Sequence, residues 1–427
     1  MAPWPSCRPW FLDSGLVLMS DIKTFYGNTI RKWTGSFSKE ELTFITVLTS
    51  GHFVVHWYTN ILSLALPFIK EDLSLNDVQV GFIVTVQMGV PSVFVMVLGF
   101  VADSFRKKGA IIVSSAMVSF GAALFLIGFA QSYMWVILGT GLIGIGTALW
   151  HPAAMGALSI KFSDKRGMVL SVHGVGASIG DAIGPVVVGA IIMLVDWKLT
   201  VGLHLFPALV IGFFLWRGLG SMNTVSSEKS TLTSYLASLR SMFSDIQAIA
   251  LMVSNTLIGM SRLSVLAFFP IYFRETLNYS SFGLGVYLAL LYVTGIISQP
   301  IMGVLSDKIG RKWILLPSFF SMSVLYIAII LVPKGIILAI IVALLGMFFY
   351  AILNMNQTAI MDVAPRQVQS STMGVMGLVG LPFTLLSPVV AGYLVTEFGI
   401  ESAFWFAGFT AMLAAIILAP IKFRRIS

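Results

Sequence analysis

The sequence is poor in charge, in cysteine and in histidine. Of its 427 residues only 10% are Asp, Glu, Lys or Arg, against roughly a quarter in an ordinary soluble domain. So little polar surface excludes a globule wetted on all sides. The single cysteine, Cys7, excludes a disulfide framework and any Cys-x-x-Cys metal or redox site. A phosphate-binding loop, a serine nucleophile elbow and a zinc-protease signature are also missing. Nothing therefore points to an enzyme, to an ATP-driven pump within this chain or to a cofactor. The net charge of +8 comes from basic residues scattered between apolar runs rather than gathered on one face, so nucleic acid is not an expected partner.

What the chain does have is apolar length. Apolar residues make up 57% of it, in runs of about 20, the span a helix needs to cross roughly 30 Å of hydrocarbon. A barrel strand would alternate apolar and polar residues. Stretches such as Ala110 to Ala130 and Trp313 to Val332 are apolar on every side. The expected fold is an all-α membrane protein of twelve transmembrane helices, the first over residues 42–69 and the last over 401–421. The expected organisation is a segment 1–41, a six-helix bundle 42–219, a linker 220–245, a second bundle 246–421 and a tail 422–427. Within 1–41, the spacing of Ile22, Phe25, Tyr26, Ile30 and Trp33 suits an amphipathic helix on the membrane surface, a disordered tail being the alternative. Met19 could be the true start.

Charge sets the orientation. With the N-terminus inside, only Lys70, Lys198, Arg274 and Lys334 fall outside, Arg262 lies within a span, and the rest of the 26 basic residues fall inside. The positive-inside rule then puts both termini in the cytoplasm, as expected for an inner-membrane protein.

Gly99 to Lys108 reads GFVADSFRKK, and Gly303 to Lys312 reads GVLSDKIGRK. Each follows the second span of its half, so the halves are repeats. The second copy resembles the loop motif of the major facilitator superfamily, through Gly303, Asp307, Lys308, Gly310, Arg311 and Lys312. The first keeps Gly99 and Asp103 but has Arg106 where glycine is usual. An aspartate at a helix end followed by a basic cluster can latch neighbouring helices at the membrane edge, which makes Asp103, Arg106, Asp307 and Arg311 candidate gating residues. In the fifth span Gly180, Gly184, Pro185 and Gly189 resemble the glycine–proline motif of that superfamily's antiporters, and small residues there permit close helix packing. Within the superfamily the chain is most similar to the fosmidomycin-resistance type of exporter, on Gly51, His52, Tyr58, Leu66 and Pro67, on His151 and Pro152, and on the glycine-rich fifth span. It departs from that type in carrying His56 where an aspartate is expected and Asp181 where a small or neutral residue is. The resemblance implies a monomeric secondary transporter working by alternating access in the lipid bilayer, with protons as the coupling ion and efflux as the direction. Uptake of carboxylates or similar metabolites, and a sensor or lipid-handling role on the same scaffold, are the alternatives.

Polar groups inside hydrocarbon are costly, and each needs a reason. His52, His56 and Asn60 recur at intervals of four and share one face of the first span. His151 lies on the fourth span, Asn255 and Arg262 on the seventh, and Tyr350, Asn354 and Gln357 on the tenth. These nine are the candidate substrate-binding residues, lining a cavity between the first, fourth, seventh and tenth helices. Asp181 is the one acid expected in mid-membrane, so it and His56 are the candidate proton-coupling residues, with Arg262 the other possible neighbour of Asp181. Arg262 either pairs with Asp181 or faces an anionic group on the substrate. His52 and His56 have the spacing of metal ligands, but no cysteine or acid completes the set along the chain, and no metal site is expected. His173 and His204 are read as structural, and Gln87 and Gln299 as cavity-lining or interhelical groups.

Overall fold

The computed structural model describes residues 37–104, 108–220, 244–363, 369–421 and 423. Most of the expected N-terminal segment (residues 1–36), Arg106, most of the expected linker (221–243) and most of the tail lie outside these residues, as do the side chains of Asp103 and Asn354.

The described chain is helical throughout. In order the helices are α1 (Lys39–Asp72), α2 (Asp77–Ser104), α3 (Gly109–Gly128), α4 (Tyr133–Lys161) and α5 (Arg166–Leu194). They continue as α6 (Trp197–Gly202), α7 (Leu205–Leu219), α8 (Ile246–Ile271), α9 (Ser281–Ile309) and α10 (Arg311–Leu331). The last are α11 (Ile336–Phe349), α12 (Ala351–Val363), α13 (Gln369–Phe398) and α14 (Glu401–Leu418). Taking α6–α7 and α11–α12 as one broken rod each, they form twelve rods. Ten segments among the described residues are long and apolar enough to cross a membrane. Of the other rods, α1 is diluted by its histidines and asparagine, and α11 is too short alone.

The outer surface is what hydrocarbon demands. Leu194, Trp313, Ile336 and Phe398 are 69–85% exposed, a cost no water-soluble surface would carry. Inside, Trp150, Phe120, Phe268, Phe319 and Phe404 are fully buried. Some helix starts carry side-chain caps. Ser38 and Glu41 form a reciprocal capping box at α1, and Asp245 accepts from the Gln247 N–H at α8, so orphan donors there are satisfied.

Between the halves the contacts cluster at the end of the molecule that bears Lys70, where glycines let backbones touch. A Cβ at Gly81 of α2 would collide with the carbonyl of Pro388 on α13, and one at Gly392 of α13 with that of Asp77 on α2. The pair α5 and α9 repeats the arrangement: Gly285 faces the Pro185 carbonyl, and Gly189 that of Ser281. Thr85 donates to the Leu385 carbonyl at 2.6 Å, and Lys70 pairs with Glu275 at 2.9 Å and with Asp77 at 2.8 Å. Towards the end that bears Arg311, Gly174 of α5 and Gly303 of α9 have open space where a Cβ would be. The two helices therefore diverge, and the halves form a V that opens towards Arg311.

Candidate functional site

Close packing of α1 on α5 builds the polar centre. A Cβ added at Gly176 or Gly180 would collide with the carbonyls of Thr49 and Phe53, and one added at Gly184 would lie 3.3 Å from the Cα of Trp57. Both helices advance by four residues at each contact, so the missing side chains cut one continuous groove. Of the residues expected to pack helices, Gly180 and Gly184 serve this intra-half groove, and Pro185 and Gly189 face α9 across the halves. On α4, Trp150 fills the space left by Gly51, which sets the adjoining His151 beside α1.

This proximity brings Asp181 within reach of α1. His56 Nδ1 lies 2.9 Å from its Oδ1, and Asn60 Nδ2 donates to the same oxygen at 2.6 Å. Tyr292 of α9, in the other half, donates to Asn60 Oδ1 at 2.7 Å. Tyr292 also stacks on Tyr350, with ring centroids 4.9 Å apart. Tyr350 occupies the break between α11 and α12, an irregularity membranes tolerate where backbone is enclosed by protein. Beyond it lies Arg262, whose guanidinium sits 5.1 Å from the centre of the Tyr350 ring and 4.5 Å from that of Phe349. A polar chain thus runs His56, Asp181, Asn60, Tyr292, Tyr350, Arg262 across the two halves.

Of the two neighbours expected for Asp181, His56 is the partner and Arg262 is not. Among the described residues no carboxylate lies within ion-pair distance of Arg262, and its Nε is buried without a hydrogen-bond partner. The aromatic faces give it cation–π support but no counter-charge.

His52 and His151 join His56 in one cluster. His52 donates from Nδ1 to the His173 carbonyl at 3.0 Å, and His151 from Nδ1 to the Thr147 carbonyl at 3.0 Å. Spacing along α1 does not reveal this third imidazole, because only the fold brings α4 alongside. His173 is not remote from the centre either: its ring stacks on His52 with centroids 4.1 Å apart. His204 lies outside the cluster, at the break between α6 and α7. There Tyr58 donates to its carbonyl at 2.7 Å and Trp57 Nε1 to its Nε2 at 3.3 Å. Gln87 donates to the Thr59 carbonyl at 3.1 Å, and Gln299 is exposed.

The remaining expected residues separate from this centre. Asn255 receives a hydrogen bond at 3.3 Å from Asn356, a buried residue that the reading of Asn354 and Gln357 as one face passed over. Gln357 is half-buried. A cavity of about 280 Å³ along α8, lined by Met252, Val253, Met260 and Phe383 among others, is almost wholly apolar and offers nothing to hold a charge.

At the Arg311 end, Arg311 pairs with Asp307 one turn away and with Asp362 of α12 at 2.9 Å, and its Nη1 donates to Ser306 Oγ at 2.6 Å. Lys312 donates to the carbonyls of Ala419 and Ile421, each at 2.6 Å. Asp307 and Arg311 therefore brace helices within the second half. Among the described residues the ion pair that crosses between halves is Lys70–Glu275, at the opposite end. Its signal was available, since Lys70 is one of the four basic residues on the sparsely charged side.

The chain is similar to a hexuronate transporter of Bacillus subtilis (strain 168), 25% identical over 91% of this chain and 96% of that one. It is similar to the fosmidomycin resistance protein of Escherichia coli (strain K12), 21% identical over 60% of this chain and 63% of that one. Among solved structures, the fold matches the nucleoside transporter NupG with a TM-score of 0.74 at 11% identity, covering 90% and 99% of the two chains. It also matches an inward-facing, unoccupied bacterial homologue of the human lysosomal transporter Spinster, with a TM-score of 0.70 at 15% identity, covering 90% and 96%. The Major Facilitator Superfamily profile matches residues 48–383 and 251–426. The polar centre described above is thus set in a multi-pass membrane transporter, and the chain belongs to the Major Facilitator Superfamily.

Proposed function

We propose that this transporter moves a small organic anion by alternating access, in exchange for protons and in the direction of export. The observation that carries the substrate class is Arg262. A guanidinium buried in the bilayer without a carboxylate is expensive, since an ion taken out of water needs a partner. A carboxylate, phosphonate or sulfonate on the substrate would supply one by bidentate hydrogen bonding. Relatives named for hexuronate and for sulfoacetate, both anions, support this class.

The other elements follow from position. Tyr350, Asn60, His56 and His151 surround the path from Arg262 to Asp181, and Asp181 is the acid we assign to the proton. Its hydrogen bond to Asn60, which Tyr292 also holds, ties its state to the contact between the halves. The positive-inside rule supports a cytoplasmic Arg311 end, and with that orientation the V opens inward. Relatives named as a multi-drug resistance efflux pump and as a fosmidomycin resistance protein support export, while the same geometry could run uptake.

The test is counterflow in proteoliposomes with a panel of carboxylates, phosphonates, sulfonates and neutral analogues, with and without an imposed pH gradient. Anions should exchange and neutral analogues should not, and acid outside the vesicle face equivalent to the periplasm should drive export. Exchange confined to the neutral analogues would overturn the assignment.

A further inference from the structure

Three of the five histidines present a ring nitrogen to one another. One nitrogen each from His52, His56 and His151 lies within 4.8 Å of the others. Nδ1 of each ring is already committed, to the His173 carbonyl, to Asp181 Oδ1 and to the Thr147 carbonyl. A carbonyl or carboxylate oxygen can only accept, so Nδ1 carries the proton and Nε2 the lone pair. In the neutral tautomers that these bonds select, each ring keeps its Nε2 lone pair free to bind an electropositive ion. Nε2 of His52 is buried with no partner among the described residues.

The ring geometry suits an ion. The centroids of the three rings are 4.8, 5.4 and 6.1 Å apart, with planes 81°, 80° and 74° to one another. A tetrahedral ion with metal–nitrogen bonds of about 2.0–2.1 Å would hold the centroids about 5.2 Å apart. The observed distances straddle that value, and ring rotation has to draw the nitrogens in from as much as 4.8 Å to the about 3.4 Å that such an ion sets between its ligands. We propose that His52, His56 and His151 bind a divalent transition-metal ion of the Zn²⁺ class through three imidazole nitrogens, leaving a fourth position open.

The surroundings match what such a site needs. Metal-bound imidazoles usually give their second nitrogen to a carbonyl or carboxylate, which fixes the ring and raises its basicity. Here all three do. Neutral nitrogen donors disfavour Mg²⁺ and Ca²⁺, which take oxygen ligands. The ion brings two positive charges into a poorly solvated place, and Asp181 beside His56 offsets part of them. With its side chain 28% exposed, His56 leaves a route for entry. The site stands apart from the anion reading, because binding is measured without transport.

The experiment uses the full chain in detergent, freed of any histidine tag, titrated with Co²⁺ while the visible ligand-field spectrum is recorded, then displaced with Zn²⁺. The expected result is one Co²⁺ per chain with a tetrahedral spectrum that Zn²⁺ abolishes. His52→Gln and His151→Gln should each weaken binding at least about 100-fold, and Asp181→Asn about 10- to 100-fold. His204→Gln, outside the cluster, should bind like the parent. Thermal melts without metal establish that each variant is folded. Absence of saturable Co²⁺ binding by the parent would overturn the proposal whatever the variants do. So would binding that survives both His52→Gln and His151→Gln, which would assign the metal elsewhere.

Discussion

Replacing Gly285 by alanine adds one methyl group, and the structure puts that methyl on the carbonyl of Pro185 across the boundary between the halves. Neither atom can yield as a flexible side chain would, because Pro185 presents backbone. Overpacking of this kind costs about 1–3 kcal/mol. The cost applies only while the Lys70 end is closed. Alanine's better helix propensity, about 1 kcal/mol, is gained in both conformations and cancels. The equilibrium between closed and open at that end should therefore shift towards open by about 5- to 150-fold. Gly81→Ala, which meets the Pro388 carbonyl, should act alike, and Gly141→Ala, with open space around it, should do nothing. The assay is double electron–electron resonance between spin labels at Leu73 and Asn278, both at the Lys70 end, in a Cys7→Ser background. The population at longer distance should rise in the first two variants and not in the third. An unchanged distribution in Gly285→Ala and Gly81→Ala would refute the view that glycine contacts hold this end shut.

Arg262→Met should weaken binding of anionic substrates about 10- to 150-fold, the loss of one charge-assisted hydrogen-bonding partner at about 1.5–3 kcal/mol, as read by isothermal titration. The same change should leave the melting temperature level or higher, since it removes an unpaired buried charge. Asp181→Asn keeps the shape but not the titrating group, so downhill exchange should persist while pH-driven accumulation disappears in proteoliposome assays. Lys70→Met should open the Lys70 end by up to about five-fold, as befits a partly exposed ion pair worth about 0–1 kcal/mol. Lys70 lies beyond the membrane-spanning part of α1. Burial lowers its pKa, but hydrogen bonds to Asp77 and Glu275 outweigh that and raise it above 10.5. Its contribution is therefore complete below 10.5 and lost only as pH rises through the higher folded value. Spin-label distances should accordingly show no Lys70-dependent change between about pH 7 and 9. Asp362→Asn removes the partner that ties Arg311 to α12, and turnover in counterflow should fall more than substrate affinity does.

Much of this protein was legible without coordinates. Hydropathy and length fix helical spans because lipid leaves backbone no other way to satisfy its hydrogen bonds. The paired GFVADSFRKK and GVLSDKIGRK loops mark two related halves, and the spacing of His52, His56 and Asn60 marks one polar face. Asp181 and Arg262 stand out because an ionisable group in hydrocarbon is too costly to be incidental. Partnership was not legible, since it depends on which helices lie side by side. Only the packing of α1 into the glycine groove of α5 joins Asp181 to His56 and Asn60 and leaves Arg262 with no carboxylate among the described residues. Only the seating of Trp150 against Gly51 carries His151 to the two histidines of α1. Asp362 and Asn356 drew no notice in the sequence because their roles come from a helix brought alongside, as does the pairing of Lys70 with Glu275 across the halves. Composition and period act through neighbours along one chain, whereas an ion pair or a ligand set acts across a few ångströms of space, and that distance is decided by tertiary structure alone.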